Sequence, residues 1–212
     1  MDGIKTVIWD WNGTLLDDTT ICKRIINKLL EQRNLPVLSL QKYKEIFTFP
    51  VRDYYIKAGF DFAIEDFEVP ADEFIENYNE QVKKAKLHPE VTDTLNYFKS
   101  KKIKQFILSA MEQNSLINSI QHFKIHPYFQ EIYGINNHYA HSKTENAFRL
   151  INNNHLNPSE VCMIGDTIHD HEVAKSIGCR CILIADGHQS KTRLIATGRN
   201  VYNNLSELEQ EF

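Results

Sequence analysis

The chain has 212 residues, 42% of them hydrophobic and 25% charged, which is the composition of a folded globular protein and not of a disordered one. Twenty-four Lys and Arg against 28 Asp and Glu give a formal charge of −4, which argues against the basic face that non-specific nucleic-acid binding requires. No apolar run approaches the ~20 residues that cross a bilayer, and the chain enters an apolar segment at Ile4 with no basic-then-apolar leader, so a cytoplasmic protein without membrane or nucleic-acid partners is expected.

Residues 4–9 form a short run rich in β-branched side chains, closed by Asp10 to Gly13, which predicts a strand and then a turn. From about 19 to 87 the spacing is helical. It predicts helices over 20–33, 40–47 and 71–86, punctuated by Pro36, Pro50, Gly59 and Pro70. Beyond 88, helix and strand alternate: helices over 89–101, 113–123, 142–154 and 170–177, with strands over 105–108, 131–135, 161–164 and 180–185. A short strand and a last helix complete residues 200–212. Near-continuous apolar strands fit a parallel sheet buried on both faces. The expected fold class is therefore α/β, a doubly wound parallel sheet with a small α-helical cap inserted after the first strand. The corresponding boundaries are 1–18 and 88–212 for the core and 19–87 for the cap. Cys22, Cys162, Cys179 and Cys181 are few and lie mostly in apolar runs, so they are expected to be reduced and structural.

Ligands of an open α/β sheet gather at the carboxyl ends of its strands, and four stretches fall there. Asp10-Trp11-Asn12-Gly13-Thr14 follows the first strand. Its carboxylate can be a nucleophile or a metal ligand, Gly13 permits a tight turn, and Thr14 offers a hydroxyl and a backbone N–H to an anion. Ser109 closes the strand over 105–108, though a serine there equally serves a turn or a helix cap. Lys143 opens a helix, where a lysine alone is an ordinary solvated charge. Asp166 and Asp170, four apart at a helix start, would share one face and could hold a hard cation, or else act as capping and dipole partners.

In this order, with a helical block after the first of them, the four motifs resemble those of the haloacid dehalogenase-like hydrolase superfamily, in the branch that holds phosphoglycolate phosphatase and β-phosphoglucomutase. The resemblance spans essentially the whole chain. It implies a Rossmann-like core, a Mg²⁺ cofactor, a small phosphorylated metabolite as substrate, and a monomer or weak dimer. Asp10 would attack phosphorus and form an aspartyl-phosphate that water then hydrolyses. Mg²⁺ would sit among the Asp10 carboxylate, the Asn12 backbone carbonyl, Asp166 and Asp170. Ser109, Thr14 and nearby backbone N–H groups, that of Ala110 included, would hold the phosphoryl oxygens, while Lys143 offsets the charge of Asp10 and phosphate together. A carboxylate reaches a phosphate dianion only when such cations cancel their repulsion.

Two positions depart from that pattern. The family's phosphatases carry a second aspartate two residues after the nucleophile, to protonate the leaving alcohol and later activate water. Here the position is Asn12, whose amide cannot deliver a proton at neutral pH. General acid–base help is typically worth ~10²–10⁴-fold, so poor leaving groups should suffer most. Asp17, Asp18, His141, His169 and His171 lie near enough in sequence to be weighed as substitutes. At Ala110 a side-chain donor is also missing. Arg52 sits roughly where related caps place a substrate-contacting arginine, Trp11 is expected at the entrance, and Tyr54, Tyr55, Phe60 and Phe62 are expected to form cap core. Two other functions compete: a phosphometabolite-binding regulator that has lost turnover, and a 2-haloacid dehalogenase, which would leave Lys143 and the Asp166/Asp170 pair without a purpose.

Overall fold

A computed structural model describes residues 3–135 and 142–212, so His141 lies outside the described residues. The first apolar run forms β1 (Thr6–Trp9), followed by a tight loop and a two-residue strand, β2 (Leu16–Asp17). Four helices come next: α1 (Thr19–Gln32), α2 (Leu40–Ile46), α3 (Val51–Ala58) and α4 (Glu68–Gln81). The chain returns through β3 (Lys86–Leu87), which pairs antiparallel with β2. It then alternates through α5 (Val91–Ser100), β4 (Lys104–Glu112), α6 (Gln113–His122), β5 (Ile132–Ile135), α7 (Ser142–Asn153) and β6 (Val161–Gly165). The last elements are α8 (Ile168–Ser176), β7 (Arg180–Ile184), α9 (Lys191–Ile195) and β8 (Asn200–Tyr202).

Among the described residues, six strands form one parallel sheet in the order β5-β4-β1-β6-β7-β8. The fold is thus the α/β doubly wound class. Alternation along the strands sends Ile8, Phe106, Leu108, Met163 and Leu183 into one core and Val7, Trp9, Ile107, Ile164 and Ile182 into the other. Both faces are covered, which is why these strands read as unbroken apolar runs. From β1 the chain builds outward to β4 and β5 on one side, and later to β6, β7 and β8 on the other. The carboxyl end of β1 is therefore the switch point where an open sheet leaves a crevice. Among the described residues no helix is long and apolar enough to cross a membrane.

The helices between β2 and β3 bury one stripe each. On α1 it is Ile21, Cys22, Ile25, Ile26, Leu29 and Leu30, the spacing of an amphipathic helix. Arg33 binds Glu65 through Nε and Nη2 (2.6 and 2.9 Å) and Glu73 through Nη1 (3.0 Å), tying the end of α1 to the approach to α4. Several elements differ from the sequence expectation. The eight-residue α3 is too short to show a clear period, and it stops at Gly59, whose φ of +116° few other residues accept. α4 ends at Gln81 and not at 86, because the chain tightens through Val82–Lys84 before Lys86 pairs with Asp17. β4 runs on to Glu112 through an irregularity in its pairing with β5. The expected last helix is a 3₁₀ segment, Leu205–Gln210, capped by Asn204.

Candidate active site

Asp10 leaves the end of β1 with its backbone N–H bonded to the Ile164 carbonyl of β6 at 2.9 Å. Lys143, in the first turn of α7, reaches across the sheet's edge to it. Its Nζ lies 2.5 Å from Asp10 Oδ1 and 2.6 Å from Asp170 Oδ1, and the lysine is only 3% exposed. Far from being a solvated charge, this ammonium is enclosed between two carboxylates. Asp166 follows β6 and accepts from the Thr14 hydroxyl at 3.0 Å and from the His188 backbone N–H at 2.6 Å. Asp170 accepts from Thr167 N and Oγ1 (3.0 and 2.6 Å) in a capping box that opens α8. Asp166 thus precedes the helix that contains Asp170, so a turn and not helical spacing makes the two converge. Oxygens of Asp10, Asp166 and Asp170 lie within 4.8 Å of one another.

Three buried carboxylates cannot all ionise beside one ammonium. Burial pushes the Asp10 pKa up to about 8 against the pull of Lys143, and the charges of Asp170 and Asp166 add to the rise. Burial likewise raises Asp166, although His188 opposes it. Burial works on Asp170 in the same direction, but Lys143 and Thr167 override it and hold that carboxyl below its usual range. Lys143 itself is held above the ordinary lysine value, since Asp10 and Asp170 outweigh its desolvation.

The loop after Asp10 turns at Gly13, with φ of +77°. A Cβ there would overlap the Asp166 carboxylate and the His188 ring. Gly13→Ala should cost about 2 kcal/mol or more, from left-handed strain together with overpacking. Thermal unfolding checks this, and an unchanged melting temperature would show that the loop has room.

A second polar group stands behind this loop, centred on Asp18, which is fully buried. Asp18 Oδ1 accepts from Gly13 N at 3.0 Å and faces His188 Nε2 at 3.2 Å. Asp18 Oδ2 accepts from Asn12 Nδ2 (2.8 Å), the Tyr78 hydroxyl (2.7 Å) and Cys22 Sγ (3.6 Å). Burial would raise the Asp18 pKa, but His188, Tyr78 and Asn12 bring it below the usual value. Burial would lower that of His188, yet Asp18 holds it up at about 9. The other ring nitrogen of His188 meets the Tyr43 hydroxyl at 2.8 Å. Because Tyr43 lies on α2, Tyr78 on α4 and His188 after β7, this group joins the helical block to the sheet.

The remaining expected residues fall as follows. Ser109 is buried, takes a bond from Met111 N at 3.1 Å, and sets its Oγ 3.4 Å from Asn12 Oδ1. Ala110 follows it, half-buried. Thr14 spends its hydroxyl hydrogen on Asp166, with Asp10 Oδ2 3.4 Å away. Arg52 is exposed on α3 with its guanidinium 5.3 Å from the centre of the Phe62 ring, and no described contact joins it to the Asp10 group. Trp11 is not at an entrance: it is fully buried and tilts against Phe123. Tyr54, Tyr55 and Phe60 are buried core. Asp17 is exposed, and His171 receives a bond from Arg199. His169 lies tilted against the Phe49 ring, with burial and Lys143 lowering its pKa. His188, Tyr43 and Tyr78 were not anticipated. Only His188 carried a signal, its place just past the carboxyl end of a strand.

Fold and site together define a parallel α/β protein that collects one lysine and three carboxylates at its switch point, equipment suited to hydrolysis of an anionic group. The chain belongs to the haloacid dehalogenase-like hydrolase family, whose model matches residues 7–184. Among solved structures it is similar to a haloacid dehalogenase-like family hydrolase from Streptococcus pneumoniae, with 19% identity, a TM-score of 0.85 and 100% of both chains covered. A protein from Clostridium acetobutylicum described as a predicted phosphatase shares 18% identity over 98% of this chain and 97% of its own, with a TM-score of 0.81. One from Haemophilus somnus, described as a predicted phosphoglycolate phosphatase, shares 19% over 99% and 98%, with a TM-score of 0.77. At such identities these likenesses speak for the fold. No curated protein matches the chain significantly.

Proposed function

We propose that this hydrolase is a Mg²⁺-dependent phosphatase of a small phosphorylated metabolite, phosphoglycolate phosphatase-like, working through an aspartyl-phosphate on Asp10. The observation that carries the reading is Lys143 held between Asp10 and Asp170 with Asp166 beside them. An all-oxygen donor set of this kind suits a hard divalent cation better than a soft one. Asp10, Asp166, Asp170 and the Asn12 backbone carbonyl would hold the ion, which when bound offsets phosphoryl charge.

Asp10 supplies the attacking oxygen, and Lys143 neutralises it and the incoming phosphoryl group together. Ser109, the Ala110 backbone and Thr14 orient the phosphoryl oxygens, with Thr14 first giving up its bond to Asp166. Residues 19–87 act as a cap over the core of 1–18 and 88–212, and Arg52 is its candidate contact to the distal part of the substrate. The test is phosphate release from a panel of phosphorylated metabolites, with and without Mg²⁺, beside Asp10→Asn. Release should need the ion and fall to background in the variant. Undiminished release from Asp10→Asn would remove Asp10 from the chemistry.

A further inference from the structure

On the proposed function, Asn12 takes the place of the acid that would serve the leaving group, and both hydrogens of its amide are already committed to other partners. Nδ2 gives both of its hydrogens away, one to Asp18 Oδ2 at 2.8 Å and one to the Tyr78 hydroxyl at 2.6 Å. That leaves Oδ1 toward Ser109 Oγ, 3.4 Å off. The opposite orientation would set the amide oxygen against the Asp18 carboxylate, so the partners fix which atom is which.

The neighbours do not make up the loss. Asp18 already takes five donors, and the Tyr78 hydrogen is spent on it. Both ring nitrogens of His188 are engaged, with Asp18 and with Tyr43. Asp18, Tyr78 and His188 are thus satisfied by one another, by Asn12 and by Tyr43.

Taking Asp10 as the nucleophile, we infer that the site accepts phosphoryl donors whose leaving group departs without a proton, acyl and aryl phosphates, and that the phosphoryl group then stays long on Asp10. In the first step an Asp10 oxygen bonds to phosphorus while the bond from phosphorus to the leaving oxygen breaks. The leaving group takes the electron pair away as a carboxylate or a phenolate, and no acid is needed. In the second step water bonds to phosphorus and the electron pair returns to the Asp10 carboxylate. The water proton passes to solvent or to the released phosphate, because Asn12 cannot take it. A step without a base is slow, so the phosphorylated chain accumulates.

The experiment mixes the full chain and Mg²⁺ with p-nitrophenyl phosphate and follows p-nitrophenolate, then quenches and weighs the protein. The expected result is a burst approaching one p-nitrophenolate per chain, a slow phase after it, and one phosphoryl group on the peptide containing Asp10. Glycerol 3-phosphate, an alkyl phosphate, should load Asp10 more slowly by roughly 10²-fold or more. Asn12→Asp should abolish the accumulation and speed the slow phase by roughly 10²–10⁴-fold. That variant sets a carboxylate against Asp18, so the wild-type chain is also treated with hydroxylamine during turnover. Hydroxylamine attacks the carbonyl carbon of an acyl phosphate and expels phosphate, so Asp10 should become a hydroxamate. Steady release with no burst, no phosphoryl group and no hydroxamate, while Asp10→Asn is inactive, would overturn the long-lived intermediate and leave the nucleophile in place. Equal loading rates from the two donors would overturn the donor class. Undiminished release from Asp10→Asn would instead overturn the reading of Asp10 itself.

Discussion

Lys143→Ala is expected to destabilise the metal-free chain by about 3–5 kcal/mol near pH 8, read from urea unfolding in EDTA, and to abolish phosphate release. The ammonium is almost wholly enclosed and lies 2.5 and 2.6 Å from two carboxylates. Deleting it leaves Asp10, Asp166 and Asp170 with only the His188 ring, already paired with Asp18, as a nearby cation among the described residues. The pH dependence has a definite sign. Burial holds the folded pKa of Asp10 at about 8, above its ordinary 3.8, so the stability linked to its proton is fully present below pH 4 and is lost as pH rises through 8. Removing Lys143 deepens that loss. The variant's deficit should therefore be greatest in alkali and shrink as acid protonates the site. Asp10→Asn should do the reverse, gaining on the wild type as pH climbs from 4 to 8. If Lys143→Ala unfolds at the wild-type urea concentration at every pH, the lysine is not the counter-ion of this group.

The parts of this site that could be read from the sequence are those that end apolar runs. Asp10, Ser109 and Asp166 each close an apolar run, and runs buried on both faces stand out whatever the rest of the chain does. Lys143 was legible only through the order of the motifs, since nothing local marks a lysine as buried. Trp11 misled because it adjoins Asp10 in sequence, whereas its ring turns away into the core against Phe123. Thr167-x-x-Asp170 did carry a capping-box signature. That signature places the helix start at Thr167 and so leaves Asp166 outside the helix. The group around Asp18 had no such signature. Its partners Tyr78 and His188 lie 60 and 170 residues away, and pairings of that range are made by the sheet's topology and not by any local pattern.

Asp18→Ala is expected to cost about 3–5 kcal/mol near pH 6, because five donors lose their acceptor in a place that water does not reach. Gly13 N and Asn12 Nδ2 belong to the loop that carries the Asp10 chemistry, Tyr78 and Cys22 to the helical block, and His188 to the loop after β7. One carboxylate therefore restrains three separate parts of the chain, and its loss should loosen the join between helices and sheet as well as the loop. The pH profile identifies the cause. Asp18 has a folded pKa below 3.8, so its contribution is present above pH 4 and is lost as pH falls through the folded value. His188 has one raised from 6.5 to about 9, so its contribution is present below 6.5 and is lost as pH rises through 9. The gap between wild type and variant should accordingly be widest from about pH 4 to 6.5 and narrow toward 9. Asp18→Asn keeps the shape and one acceptor, and should retain part of the stability without the His188 limb. A gap that stays constant from pH 6.5 to 9 in Asp18→Ala would mean that the ion pair contributes nothing and that only packing and neutral hydrogen bonds hold the join.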